Sequence, residues 1–214
     1  MGGQQIMSDP EAVSYTHLDV YKRQATLCIP SLSDILLPGA LSSWMKQQKI
    51  TVAHLTPALA GLLTQPSEWE SDEQSLPALR YVFFGGDVLR PRDVALVTGL
   101  APQVACINFY GATETPQAVA WCPIDPIQPL HTDDRTTIPT RPIPVGRPIA
   151  DTQLLILNRA GNLSGPGELG EIHVRSPYLS RGYVNDEALT RERFVKNPYT
   201  GKSSDLLYLS LIHI

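Results

Sequence analysis

Two short apolar runs each stop at a cluster suited to turning or binding. This repeated ending constrains the fold more than any other feature. Leu79-Arg80-Tyr81-Val82-Phe83-Phe84 runs into Gly85-Gly86-Asp87, and Val104-Ala105-Cys106-Ile107 runs into Asn108-Phe109-Tyr110-Gly111-Ala112-Thr113-Glu114-Thr115. The runs are too short for helices and rich in aromatic and β-branched residues, so they read as buried strands. Pro91 to Gly99 lies between them and reads as a helix, with a proline at its first turn and a glycine at its end. Strand, glycine turn, helix, strand is the unit of a parallel α/β sheet, whose ligands usually sit at the carboxyl edge of the strands. On its residues alone the octapeptide 108–115 reads equally as a polar turn or as a site. The glycine pair alone favours a tight turn without a ligand.

The rest of the first half repeats that rhythm. Ala25 to Ile29 is expected to be a short buried strand and Leu32 to Pro38 a loop. Gly39 to Gln48 is expected to be a helix with Leu41, Trp44 and Met45 on one face. Lys49 to Leu55 reads as a strand, Ala58 to Leu63 as a helix, and Gln65 to Ser75 as a polar surface loop. Past Thr115 the texture changes. Gln117 to Cys122 can be a strand, and the proline-rich stretch 123–144 reads as an extended loop. Val145 to Ile149 leads to a strong strand at 152–158, which pairs as a hairpin with 167–175 across Ala160-Gly161-Asn162. A helix at 187–194 and a strand-like run at 205–211 follow. The expected fold is therefore α/β, a parallel-rich sheet with helices (25–122) followed by a small β-rich unit (123–208).

Composition excludes several classes. The chain has 214 residues, 43% hydrophobic and 18% charged, with a formal net charge of -4. That balance fits a globular core and argues against a nucleic-acid binder, which carries a basic stripe. No apolar run approaches the roughly 18 residues of a membrane span, and the N-terminal residues lack the apolar core of a secretory signal. Cys28, Cys106 and Cys122 are odd in number and widely spaced in apolar surroundings, so they are expected as buried free thiols in a reducing, cytoplasmic compartment.

Four segments, in order, carry a resemblance. Leu79 to Leu89 resembles the LRxxxxGGExL segment of the adenylate-forming superfamily, with Asp87 where Glu is usual. Asn108 to Glu114 resembles its NxYGPTE motif, with Ala112 where Pro is usual. Val145-Gly146-Arg147-Pro148-Ile149 resembles its VPIGRPI segment. Gly167 to Ile172, followed by Leu179-Ser180-Arg181-Gly182-Tyr183, resembles GELxI…LARGY. The order is most similar to the adenylation domains of nonribosomal peptide synthetases, over roughly Ala25 to Tyr208, and implies part of an acetyl-CoA-synthetase-like fold whose second unit is barrel-like. The resemblance implies activation of an amino acid or other carboxylate by ATP and Mg²⁺, with release of pyrophosphate. The acyl group then passes to a phosphopantetheine thiol on a peptidyl carrier domain, beside a condensation domain in the full-length protein.

By the same resemblance Thr113 and Glu114 are the catalytic pair, with Glu114 holding Mg²⁺. Gly85, Gly86, Asp87, Asn108, Phe109, Tyr110 and Gly111 bind the nucleotide. Tyr110 is implied to stack on adenine, and Asn108 to bond its amino edge. His54, Phe83, Gly85, Phe109, Gln117 and Ala118 line the substrate pocket. An acyl-CoA or fatty-acyl-AMP ligase of the same superfamily remains open, as does a non-catalytic nucleotide-binding scaffold.

The departures are as informative. The family's upstream phosphate loop and its lysine-bearing C-terminal subdomain are absent, so the chain as written is expected to be a piece of a longer protein without adenylation activity. The expected Tyr-Arg-Thr-Gly-Asp motif starts at Tyr208 but continues as Leu209-Ser210-Leu211-Ile212-His213-Ile214. Segments 13–24 and 209–214 break register with the family and resemble translated sequencing-adapter read-through, and 1–24 as a whole is expected to be non-native. Resequencing the locus is expected to replace both segments; recovering the same codons in clean genomic reads contradicts this.

Overall fold

The computed structural model describes residues 25–63, 75–125 and 141–213, with side chains through Ser210. The loop expected at 65–75 falls almost wholly outside these residues, as do segment 1–24 and most of the proline-rich stretch. Two sheets organise what is described. The first has the order β1 (Val52–Leu55), β2 (Tyr81–Phe84), β3 (Ala105–Tyr110), β4 (Ala120–Ile124) and β5 (Arg147–Pro148). β1, β2 and β3 are parallel, whereas β4 and β5 join antiparallel. The second is antiparallel, ordered β6 (Gln153–Leu157), β7 (Glu171–Arg175), β9 (Leu206–His213) and β8 (Phe194–Lys196).

The parallel strands form because their connections are helices that cover one face. α1 spans Leu32–Leu36, α2 Ala40–Gln47, α3 Pro57–Leu63 and α4 Pro91–Leu100. α4 begins where Asp93 accepts the Arg90 backbone N–H at 2.9 Å. That bond satisfies one N–H the helix itself cannot. Leu41, Met45, Leu63, Val94 and Val97 from the helices pack on Leu55, Val82, Phe84 and Cys106 from the strands. Among the described residues the opposite face is left open. Val52, Tyr81 and Trp121 are exposed there, and Phe83, Ile107 and Phe109 are half-buried. A second core joins the two sheets, where Tyr110, Val119 and Ala120 meet Ile172, Val174, Phe194 and Tyr208. α5, Glu187–Arg193, lies beside this seam with Asp186 as its N-cap.

Several expectations are corrected. Ala25 to Ile29 forms no strand, and Leu27 and Ile29 are 50% and 77% exposed. An apolar run needs a neighbour to pair with before it becomes a strand. Leu32–Leu36 is a helix rather than a loop, because Ser31 and Asp34 form a capping box in which Ser31 Oγ accepts from the Asp34 N–H and Asp34 accepts from the Ser31 N–H. β3 continues through Asn108, Phe109 and Tyr110, so the motif is half strand and half turn. Of the three free cysteines only Cys106 is buried, and burial pushes its thiol up to about 11. Among the described residues no helix is long and apolar enough to cross a membrane.

Adjacent phenylalanines on β2 test the assignment of faces. Phe84 is fully buried under the helices and Phe83 faces the open side. Phe84→Ala is expected to cost about 3–5 kcal/mol in urea unfolding, against about 1–2 kcal/mol for Phe83→Ala.

Candidate active site

The parallel register brings Leu55, Phe84 and Asn108 side by side, so β1, β2 and β3 end close together at one edge. The expected pocket residues gather just there. His54 stacks on Phe83 with ring centroids 5.1 Å apart and meets Phe109 edge-on at 5.8 Å. Phe83 and Phe109 lie 6.4 Å apart. A Cβ at Gly85 would come within 2.8 Å of the Phe109 ring, so the absent side chain is what lets that ring lie across the end of β2. His54 is open on its outer side, yet the two flanking rings desolvate it and hold its pKa below the ordinary histidine value. Gln117 is exposed and Ala118 half-buried on the return from the motif loop to β4.

The octapeptide folds as a strand end and a tight loop. Asn108 is buried, and its Nδ2 donates to the Pro144 carbonyl at 2.9 Å and the Ile143 carbonyl at 3.4 Å. This leaves Oδ1 as the atom that could accept from a ligand. Tyr110 is buried in the seam, its hydroxyl 2.5 Å from Ser210 Oγ. Beyond it the chain doubles back, and the backbone of Pro116 and Gln117 fills the space where a Cβ of residue 111 would stand. Only glycine fits. Thr115 Oγ1 accepts from the Ala112 N–H at 2.9 Å and closes the turn. Thr113 is exposed at its tip. Across the edge Gly86 adopts φ +84°, and the exposed Asp87 accepts from the Val88 N–H at 2.6 Å.

Glu114 is the best-anchored member of the loop. Its carbonyl accepts from the Ser180 N–H at 2.9 Å. Its carboxylate Oε1 accepts from the Tyr183 hydroxyl at 2.5 Å, and Tyr208 also hydrogen-bonds the carboxylate. Partial burial opposes ionisation. The two phenol donors, the loop's own backbone N–H and the charge of Arg193 outweigh it, so the carboxyl sits below the usual glutamate value. The Tyr183 phenol is pushed up by burial and by the same carboxylate. Among the described residues no three His, Cys, Asp or Glu side chains gather as a metal site. A lone ionised carboxylate instead suits Mg²⁺, which takes one or two protein carboxylates and completes its shell with phosphate oxygens and water.

Sequence reasoning did not assign Tyr183, Tyr208, Ser210 or Arg193 to the site. Tyr183 stood in the LSRGY segment and Tyr208 at the start of an interrupted motif, so both had a signal. Arg193 had none.

Because its folded pKa is depressed, Glu114 contributes stability that is present in full above the ordinary value of 4.5 and lost as pH falls through the folded value. Glu114→Gln is therefore expected to be less stable than the unaltered chain in urea at neutral pH. The gap should narrow on acidification below 4.5; a gap independent of pH contradicts the assignment.

Comparison with known proteins agrees with this geometry. The family model described as AMP-binding enzyme matches residues 14–184. The L-2-aminoadipate reductase large subunit of Eremothecium gossypii is 41% identical over 177 residues, 81% of this chain and 12% of that protein. Surfactin synthase subunit 2 of Bacillus subtilis is 33% identical over 76% of this chain and 4% of its own length. The solved structure of a nonribosomal peptide synthetase protein containing adenylation and PCP domains superposes with a TM-score of 0.63 at 29% identity, over 83% of this chain and 33% of that one. The chain thus spans a small part of the relatives it matches. By the extent of the family match and by its fold, the chain belongs to the AMP-binding enzymes, the adenylate-forming family that includes nonribosomal peptide synthetase adenylation domains.

Proposed function

We propose that this chain forms the nucleotide edge of a domain that activates an amino acid as its adenylate. The observation that carries this is the place of Glu114, a carboxylate held ionised just beyond the carboxyl end of parallel strands and within one loop of the aromatic cluster of His54, Phe83 and Phe109. In the proposed reaction an oxygen of the substrate carboxylate attacks the α-phosphorus of ATP. The bond from that phosphorus to the bridging oxygen breaks, and pyrophosphate leaves. Little covalent chemistry falls to the protein, whose task is positioning and charge neutralisation.

Asn108 Oδ1 would accept from the adenine amino group above Tyr110. Gly85, Gly86 and Asp87 would border the base, with Phe109 and Gly111 at the strand end. Thr113 would donate its hydroxyl to phosphate. Mg²⁺, held by Glu114, would neutralise phosphate charge. His54, Phe83, Phe109 and Gly85 would enclose the substrate side chain, bordered by Gln117 and Ala118. His54 is held below the ordinary histidine value, so it offers this pocket a neutral imidazole rather than a cation.

The acyl group would then pass to a phosphopantetheine thiol on a carrier domain, in the cytoplasm, alongside a condensation domain in the full-length protein. This extension is supported by the relative that contains both adenylation and PCP domains. The reductase relatives add L-2-aminoadipate to the amino acids worth testing. The test is calorimetric titration of the chain with non-hydrolysable acyl-sulfamoyl adenosines. Binding of one or a few aminoacyl forms, with fatty-acyl forms excluded, is expected. Binding of fatty-acyl forms alone, or of none, overturns the proposal.

A further inference from the structure

We propose that Tyr183 is a positioning residue for a divalent cation at Glu114. Its hydroxyl, bonded to Oε1 at 2.5 Å, works with Tyr208, the carboxylate's second phenol partner, to fix the carboxylate's direction, and leaves the lone pairs not so engaged to a cation carried on nucleotide phosphates. The inference rests on the adenylate-forming reading of the site.

Glutamate has three side-chain torsions, and an unrestrained one on a loop tip samples many directions. Here both ends are held. Ser180 donates its N–H to the Glu114 carbonyl, and Tyr183 donates to its carboxylate. The clamp is itself anchored. The Tyr183 N–H donates to Thr190 Oγ1 at 2.9 Å, and Thr190 Oγ1 donates to the Asp186 carbonyl at 2.8 Å. The Tyr183 ring lies edge-on to Phe194 at 5.9 Å. The phenol therefore stands on the first turn of α5 and on the second core, not on the motif loop whose carboxylate it holds.

Mg²⁺ demands near-ideal octahedral geometry, so a ligand whose direction is fixed beforehand binds it better than a free one. A hydrogen bond between a neutral donor and an anion is short and directional, which suits it to this task. In metal sites generally, hydrogen bonds that orient a ligating carboxylate are worth about 10–100-fold in affinity.

The experiment compares the affinity of a non-hydrolysable ATP analogue for the chain with and without magnesium, in four forms: unaltered, Tyr183→Phe, Glu114→Gln and the double variant. Circular dichroism checks the fold of each. Tyr183→Phe keeps the ring on Phe194 and removes the hydroxyl, and with it both the bond donated to Glu114 and the one accepted from Tyr208. The expected result is that magnesium tightens nucleotide binding to the unaltered chain, and that Tyr183→Phe loses about tenfold of this gain. Its metal-free affinity should hold, and Tyr183→Phe should add no further loss on the Glu114→Gln background. An equal fall in both affinities makes Tyr183 a structural tie only and overturns the inference, as does an undiminished magnesium effect. Failure of the unaltered chain to bind the nucleotide overturns the inference together with the reading it rests on.

Discussion

Three parallel strands held in register towards one edge are the constraint on which the rest of this structure depends. The register aligns Leu55, Phe84 and Asn108, so whatever follows each strand emerges at the same edge. The glycine pair, the motif loop and the aromatic trio lie far apart along the chain. They meet because hydrogen bonding across β1, β2 and β3 leaves them no other place. The helices on the opposite face make this register possible, since a parallel pair cannot be joined by a short turn. α4 returns the chain from the end of β2 to the start of β3, and burial of Phe84, Val94 and Val97 holds helix and strands in line.

The second sheet adds what the first cannot. A loop of nine residues, 111–119 between β3 and β4, has little of its own to define the direction of a carboxylate. Sheet two supplies Tyr208 and Ser210 from β9, while Tyr183 and Ser180 come from the segment before α5. Tyr110 performs the same service from the other side, burying its ring in the seam with its hydroxyl on Ser210. The functional loop therefore belongs energetically to the seam between sheets, although in sequence it belongs to β3.

Much of this was legible in the residues, and the reasons differ by element. The strands β2 and β3 announced themselves because apolar runs ending in glycine or polar clusters have few other solutions. The hairpin β6–β7 followed from alternation. The motif residues were found because four short segments occurred in the right order. Ala25 to Ile29 misled because a strand is a property of a pair, and the sequence of one segment does not name its partner. The capping box at Ser31 and Asp34 was readable but is local and short. The clamp on Glu114 was hidden for a different reason. Tyr183 lies 69 positions from Glu114, and no periodicity encodes a contact of that range.

The open side of the first sheet has a consequence of its own. Val52, Tyr81 and Trp121 lie bare to water beside the exposed His54 and the half-buried Phe83 and Phe109. In surface terms the sheet is a leaf waxed on both sides and wrapped on one. Unwrapped apolar surface carries a standing free-energy debt to water of about 25 cal/mol per Å², and it is adhesive towards any similar surface it meets. Among the described residues, the face that would choose the substrate is thus also an adhesive one, and the same rings that would grip a side chain favour association of one chain with another.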